Sequence, residues 1–203
     1  MTDTIGIIGS GSVAQALATH ALGAGYSVLL SNSRGPASLT DTVTRLGEGA
    51  RAVTVQDAAT AGLIIVAVPF VKVPDLAESI PDWSGRVVID VSNQFAQYQP
   101  TYSGFVDLGE ETGSEWVARH LPGATVVKAF NTLYASHIAA DPRHPEGRQI
   151  VFYAGDDDSA RDQVATFAER LGFAPVAVGG LRDGGRLMQL GGSLSGVHAL
   201  RQD

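Results

Sequence analysis

The residues best placed to do chemistry here are glycines and one arginine, not acids or nucleophiles. Gly9-Ser10-Gly11-Ser12-Val13-Ala14 breaks an apolar run that begins at Ile5, and the helix-like stretch Gln15–Leu22 follows at once. In that context Gly9 permits a tight turn, Gly11 lets the backbone approach a pyrophosphate, and Ala14 keeps the helix close to the strand. The start of the helix offers unpaired N–H groups and the positive end of its dipole to phosphates. The next apolar run, Ser27–Ser31, ends in Asn32-Ser33-Arg34, where an NAD-binding chain places an acid for the ribose 2′-hydroxyl. Two short polar side chains and a guanidinium suit a 2′-phosphate instead. These residues predict NADP(H) as the cofactor.

Later strand ends supply candidates for the rest of a pocket. After Leu63–Ala67 come Val68 and Pro69, whose backbone could line the ribose and nicotinamide, and Phe70, an apolar wall. Asp90-Val-Ser-Asn93 offers Asn93, able both to donate and to accept hydrogen bonds. Lys128-Ala129-Phe130-Asn131 places Ala129, Phe130 and Asn131 as candidates for the hydride-transfer pocket. Strand-end packing or loop hydrogen bonding explains each of these equally well. Lys128 could act as a general acid on a carbonyl, but the many acids favour an electrostatic or structural pairing. The five histidines show no metal-ligand spacing, although His137 lies close enough in sequence to reach the pocket. No certain catalytic side chain emerges, because hydride transfer needs a cofactor and positioning more than a nucleophile.

The elements that must hold these residues alternate along the chain. Strands are expected at 4–9, 27–31, 50–54, 63–68, 86–91, 124–128, 149–153 and 174–178. Helices are expected at 13–22, 37–46, 55–61, 72–80 and 159–171, the last with Asp156–Asp158 at its start, where acids cap the end and oppose the dipole. Residues 94–113 read as a long surface loop, residues 141–148 as a turn-rich connection, and residues 181–200 as a glycine-rich but apolar helix. Alternating strands and helices imply an α/β fold: a Rossmann-type doubly wound, mostly parallel sheet. The expected division is a nucleotide-binding domain over 1–180 and a C-terminal helical segment over 181–203, packed on the domain or on a partner subunit. The apolar surface of that segment makes a homodimer an expectation.

Composition narrows the classes. The chain has 203 residues, 44% hydrophobic and 17% charged, enough for one substantial core. A net charge of −7 argues against nucleic-acid partners. There is no cysteine, so thiolate catalysis, disulfides and Cys-ligated metals are excluded. The longest apolar run, 63–71, is too short to span a bilayer, and the N-terminus has no signal-peptide pattern. A cytoplasmic protein with a small-molecule redox partner is the expectation.

The chain resembles the coenzyme F420-dependent NADP oxidoreductase family along nearly its whole length. The resemblance rests on Ile7-Ile-Gly-Ser-Gly-Ser-Val-Ala14, Asn32-Ser-Arg34, Ile64-Ile-Val-Ala-Val-Pro69, Val88-Ile-Asp-Val-Ser-Asn93, Val127-Lys-Ala-Phe-Asn-Thr132 and Gly155-Asp-Asp-Asp158. It implies that Ser10, Ser12 and Val13 contact the pyrophosphate and that Ser33 and Arg34 contact the 2′-phosphate. It further implies that a deazaflavin ring, coenzyme F420, stacks over the nicotinamide near Ala129 and Phe130, so that hydride passes between two rings. Where archaeal members often carry a further basic residue after Ser-Arg, this chain continues Gly35-Pro-Ala-Ser38. Two alternatives stay open: an NADPH-dependent reductase of a flavin, quinone or small carbonyl compound, and a non-catalytic NADP(H)-binding regulatory domain. A β-hydroxyacid dehydrogenase or pyrroline-5-carboxylate reductase shares the front half but continues into a large helical domain, which disfavours that reading.

Overall fold

The computed structural model describes residues 3–98 and 101–202. The first half runs β1 (Thr4–Ile8), α1 (Ser12–Gly23), β2 (Ser27–Ser31), α2 (Thr40–Leu46), β3 (Ala50–Ala52), α3 (Val55–Ala58), β4 (Leu63–Val66), α4 (Val73–Ser79) and β5 (Val87–Asp90). The second half adds β6 (Phe95–Gln97), β7 (Ser103–Phe105), α5 (Gly113–His120), β8 (Thr125–Ala129), α6 (Ala135–Ala139), β9 (Arg143–His144), β10 (Gly147–Gly155), α7 (Asp158–Arg170), β11 (Ala174–Ala177), α8 (Asp183–Met188) and β12 (Leu200–Arg201).

The main sheet has the order β3-β2-β1-β4-β5-β8-β10-β11. From β3 to β8 every neighbouring pair is parallel, whereas β10 runs antiparallel to β8. This is the doubly wound Rossmann-type α/β fold, with its order reversing between β1 and β4, the place where such sheets bind ligands. The central strand β4 is apolar and buried at every position because helices cover both faces. On β4, Leu63 and Ile65 join the core under α1, α6 and α7, while Ile64 and Val66 join the one under α3, α4 and α5.

Several elements differ from the sequence expectation. The stretch 37–46 divides into a 3-10 turn, Pro36–Leu39, and α2. The segment 94–113 is not one loop: it contains the β6–β7 hairpin, with Phe95 opposite Phe105, and ends at the start of α5. Helix α5 carries a complete capping box, Thr112 with Glu115, a signal readable in Thr-x-x-Glu. The expected helix over 181–200 is only α8. Glycines 191, 192 and 196 break the rest into turns, and β12 then returns to pair antiparallel with β10 at Arg148 and Gln149. The segment is therefore woven into the domain. At the start of α7, Asp157 accepts from Ala160 N (2.8 Å), the cap expected there.

Candidate functional site

A cleft of about 1590 Å³ lies along the C-terminal strand ends, over the point where the sheet order reverses. Pockets for one ligand commonly measure about 300–1,000 Å³, so this one has room for two small molecules.

Its first side is made of backbone. Gly9 has φ +124°, and a Cβ there would lie 2.2 Å from Ala67 O, so the loops after β1 and β4 can approach this closely only because residue 9 is glycine. Gly9 N donates to Ser31 O (2.9 Å), and Gln15 Nε2 donates to Ser10 O (2.8 Å), fixing the turn. Gly11 behaves differently. A Cβ on it would meet no described residue within 4 Å, and it caps α1 with no side-chain hydrogen bond and no acid in the first turn. The first-turn amides of this 12-residue helix are thus left for water or a ligand, next to the positive end of the dipole. Gly9, Ser10, Gly11, Ser12 and Val13 all line the cleft, as do Asn32, Ser33 and Arg34.

Asn32 works as a bracket. Its Nδ2 donates to Ser10 Oγ (3.3 Å) and Ser38 Oγ (3.0 Å), while its Oδ1 accepts from Arg34 N (2.9 Å). An amide does this where a carboxylate could not, since it donates as well as accepts. Ser33 and Arg34 are exposed beside it, and the Arg34 guanidinium has no hydrogen bond or ion pair with any described residue. The other charged residues of the lining, Lys72 and Asp75, pair with each other at 2.8 Å.

The second side is made of side chains. Val68, Pro69, Asn93, Phe130 and Asn131 lie in its lining. Phe70 does not: it is fully buried and stacks on Trp116 at 4.3 Å, because α5 packs over the end of β4. Ala129 is fully buried beneath the lining as well, pointing into the core as the last residue of β8. Phe130 contributes backbone rather than a ring face. It has φ +64°, the one non-glycine residue with positive φ among those described, and its ring turns inward against Phe173 at 5.6 Å. Asn131 Nδ2 donates to Asn93 Oδ1 (3.0 Å) and Met188 O (2.9 Å), and Asn93 Nδ2 donates to Asn131 O (3.0 Å), tying β5, β8 and α8 together. Asn131 Oδ1 and Thr132 Oγ1 are buried with no hydrogen-bond partner among the described residues. Both residues belong to the cleft wall, with these two oxygens shielded from solvent within it.

Lys128 lies outside the lining. It is buried with Asp90 in an ion pair of 2.8 Å and also donates to Ser92 O. Asp90 Oδ1 accepts from Ser92 N and Oγ, so every partner of this pair is occupied in holding the β5 and β8 ends. His137 stacks on His198 at 4.1 Å and does not line the cleft. Lining residues not anticipated from sequence include Phe95, Tyr98 and Tyr102 of the hairpin, with Thr132, Tyr134 and the C-terminal Leu190 and Ser195. Tyr98 fixes the hairpin to the sheet: its hydroxyl donates to Asn93 O (2.7 Å) and accepts from Phe70 N (2.8 Å). Burial pushes its pKa up to about 12, so it stays protonated. No group of three or more metal-ligating side chains occurs among the described residues, and no helix among them is long and apolar enough to cross a membrane.

The chain is similar to several known proteins. A solved structure of a hypothetical protein from Sinorhizobium meliloti is 39% identical, covers 100% of this chain and 97% of its own, and superposes with a TM-score of 0.91. An imine reductase from Aspergillus terreus in complex with NADPH4 shares the fold at 17% identity, with a TM-score of 0.69 over 94% of this chain and 60% of its own. Metalloreductase STEAP3 of Rattus norvegicus is 32% identical over 87% of this chain, which spans 34%, about a third, of that curated relative's length. Residues 4–94 match the family model described as NADP oxidoreductase coenzyme F420-dependent. That match, over rather less than half of the chain, is to the family the sequence motifs resemble.

Proposed function

We propose that the chain is an NADPH-dependent reductase in which NADP(H) lies along the β1–β2 side of the cleft and a second redox ring occupies the other side. The observation that carries this reading is the pairing of an uncapped helix start at Gly11 with the unpartnered Arg34, both facing one cleft. The Gly9–Val13 turn and the amides of α1 would hold the pyrophosphate. Arg34 and Ser33 would hold the 2′-phosphate, with Asn32 keeping that loop in register with Ser10. Asn93, Asn131 and Thr132 would orient the carboxamide end, where the unsatisfied Asn131 Oδ1 and Thr132 Oγ1 lie. The bound cofactor supplies a hydride at its nicotinamide C4.

Coenzyme F420 is the partner named in the family description, and a flavin or quinone presents a similar flat ring. A carbonyl substrate is less well served. Its reduction needs a proton donor, and Lys128 is buried in its pair with Asp90 while the Tyr98 hydroxyl is committed to Asn93 O and Phe70 N. The test is calorimetric titration with NADPH and NADH, followed by NADPH oxidation against F420, riboflavin, menadione, an aldehyde and ferric ion. Preferential NADPH binding with turnover by a ring acceptor supports the proposal; equal affinity for NADH, or turnover of the aldehyde alone, overturns it.

A further inference from the structure

The β6–β7 hairpin carries four aromatic rings in mutual contact, Phe95 with Tyr98 (6.0 Å), Tyr102 (5.1 Å) and Phe105 (6.0 Å), and Tyr98 with Tyr102 (5.3 Å). Phe95, Tyr98 and Tyr102 line the cleft, yet Tyr102 and Phe105 remain 65% exposed. Exposed aromatic clusters at a cleft mouth usually mark a binding surface. The hairpin follows β5, three strand spacings from the Arg34 loop after β2, or roughly 14 Å.

The two ends differ in charge. The only charged side chains among the described lining residues are Arg34, Lys72 and Asp75, on the loop after β2 and the segment after β4, and the last two neutralise each other. At the hairpin the lining is aromatic, Phe95, Tyr98 and Tyr102, and the cation beside it, Lys72 on the turn Phe70–Lys72 packed against β6, is already paired with Asp75, in a chain of net charge −7.

We infer that the face formed by Phe95 and Tyr102 binds the hydride acceptor, and that this acceptor is an uncharged planar conjugated ring, without a phosphate or polyanionic tail. The inference rests on the reading of NADP(H) as the donor. Reduction there takes a hydride from NADPH, which is oxidised to NADP⁺, and one proton from water, leaving the ring in its dihydro form. Tyr98 is the positioning residue that pins the hairpin against Asn93 and Phe70.

Riboflavin and FMN share one ring and differ by a phosphate, and both lose fluorescence when stacked on an aromatic side chain. Titrating the full chain, saturated with NADP⁺, into riboflavin, FMN and F420 therefore reads ring binding without turnover. Riboflavin should bind several-fold more tightly than FMN or F420. Phe95→Ala and Tyr102→Ala should each weaken riboflavin roughly 2- to 12-fold, the range for loss of one aromatic pair. NADP⁺ affinity by calorimetry should stay within about twofold, since these side chains lie away from the α1 amides. Equal or tighter binding of FMN or F420, no binding of any ring, or unchanged riboflavin affinity in both variants overturns the inference. Failure of NADP⁺ to bind the unmodified chain while riboflavin is still quenched would instead overturn the proposed donor and leave the ring site standing.

Discussion

The two sides of the cleft are built from different materials. The side after β1 and β2 uses glycine conformation, helix amides and one free guanidinium, all within residues 9–34. The side after β5 and β8 uses side chains gathered from the hairpin, the β8 end and the C-terminal segment. Backbone groups recognise what all dinucleotides share, their phosphates. Under the proposed function, side chains would recognise what differs among acceptors, so the second side could change specificity while the first stays fixed. The family match over residues 4–94 contains the first side complete and stops just short of the hairpin.

The largest effect is expected where the two sides are joined. Lys128→Ala strands the buried Asp90 carboxylate and should cost about 3–5 kcal/mol in urea unfolding; a loss below about 1 kcal/mol would show that the pair does not hold the strand ends. Next, Gly9→Val should lower stability through strain of about 1–3 kcal/mol plus its clash with Ala67 O. Gly11→Val should leave the melting temperature close to that of the unmodified chain but reduce NADPH affinity at least tenfold, because only a ligand would occupy its space. If both variants simply unfold, the division between structural and ligand-facing glycine fails.

Arg34→Ala should weaken NADPH by about 1–3 kcal/mol and NADH hardly at all, measured by calorimetry. Tyr98→Phe removes the partner of Phe70 N, at about 1–2 kcal/mol of stability. It should raise the acceptor KM while sparing the Kd for NADPH, and an equal change in both would mean that the hairpin serves the nucleotide too. The smallest effect concerns His198, whose pKa is lowered by burial and then by His137 and His144. Its neutral form is favoured in the folded state, so stability is full above its ordinary pKa of ~6.5 and declines as pH falls through the lowered value. His198→Gln should remove a small part of the loss of stability between neutral pH and about pH 5.

Much of the first side was legible because its determinants are local. The turn, the helix start and the strand end occupy consecutive residues, and their backbone geometry follows from glycine and from strand–helix alternation. The role of Asn32 was only half legible, since its bracket to Ser10 depends on β1 and β2 being neighbours. Phe70 and Ala129 were misread for one reason: a residue at a strand end faces the cleft or the core according to what packs over it. For Phe70 that partner is Trp116 on α5, a helix announced only by Thr112 and Glu115. Phe130 follows the same logic, its ring committed to Phe173 far along the chain.

The sequence by itself determined the Gly9–Val13 turn, the helix start beside it and the placing of Arg34 where an acid could stand, because these depend on contacts within a few residues. Only the tertiary structure decided that Lys128 is a buried strut, that Leu190, Ser195 and Gly196 join the cleft wall, and that Phe95, Tyr98 and Tyr102 meet in the same cleft as Gly9–Val13 and Arg34. Those outcomes depend on which strands lie side by side and which helices cover them, long-range choices that no run of neighbouring residues encodes.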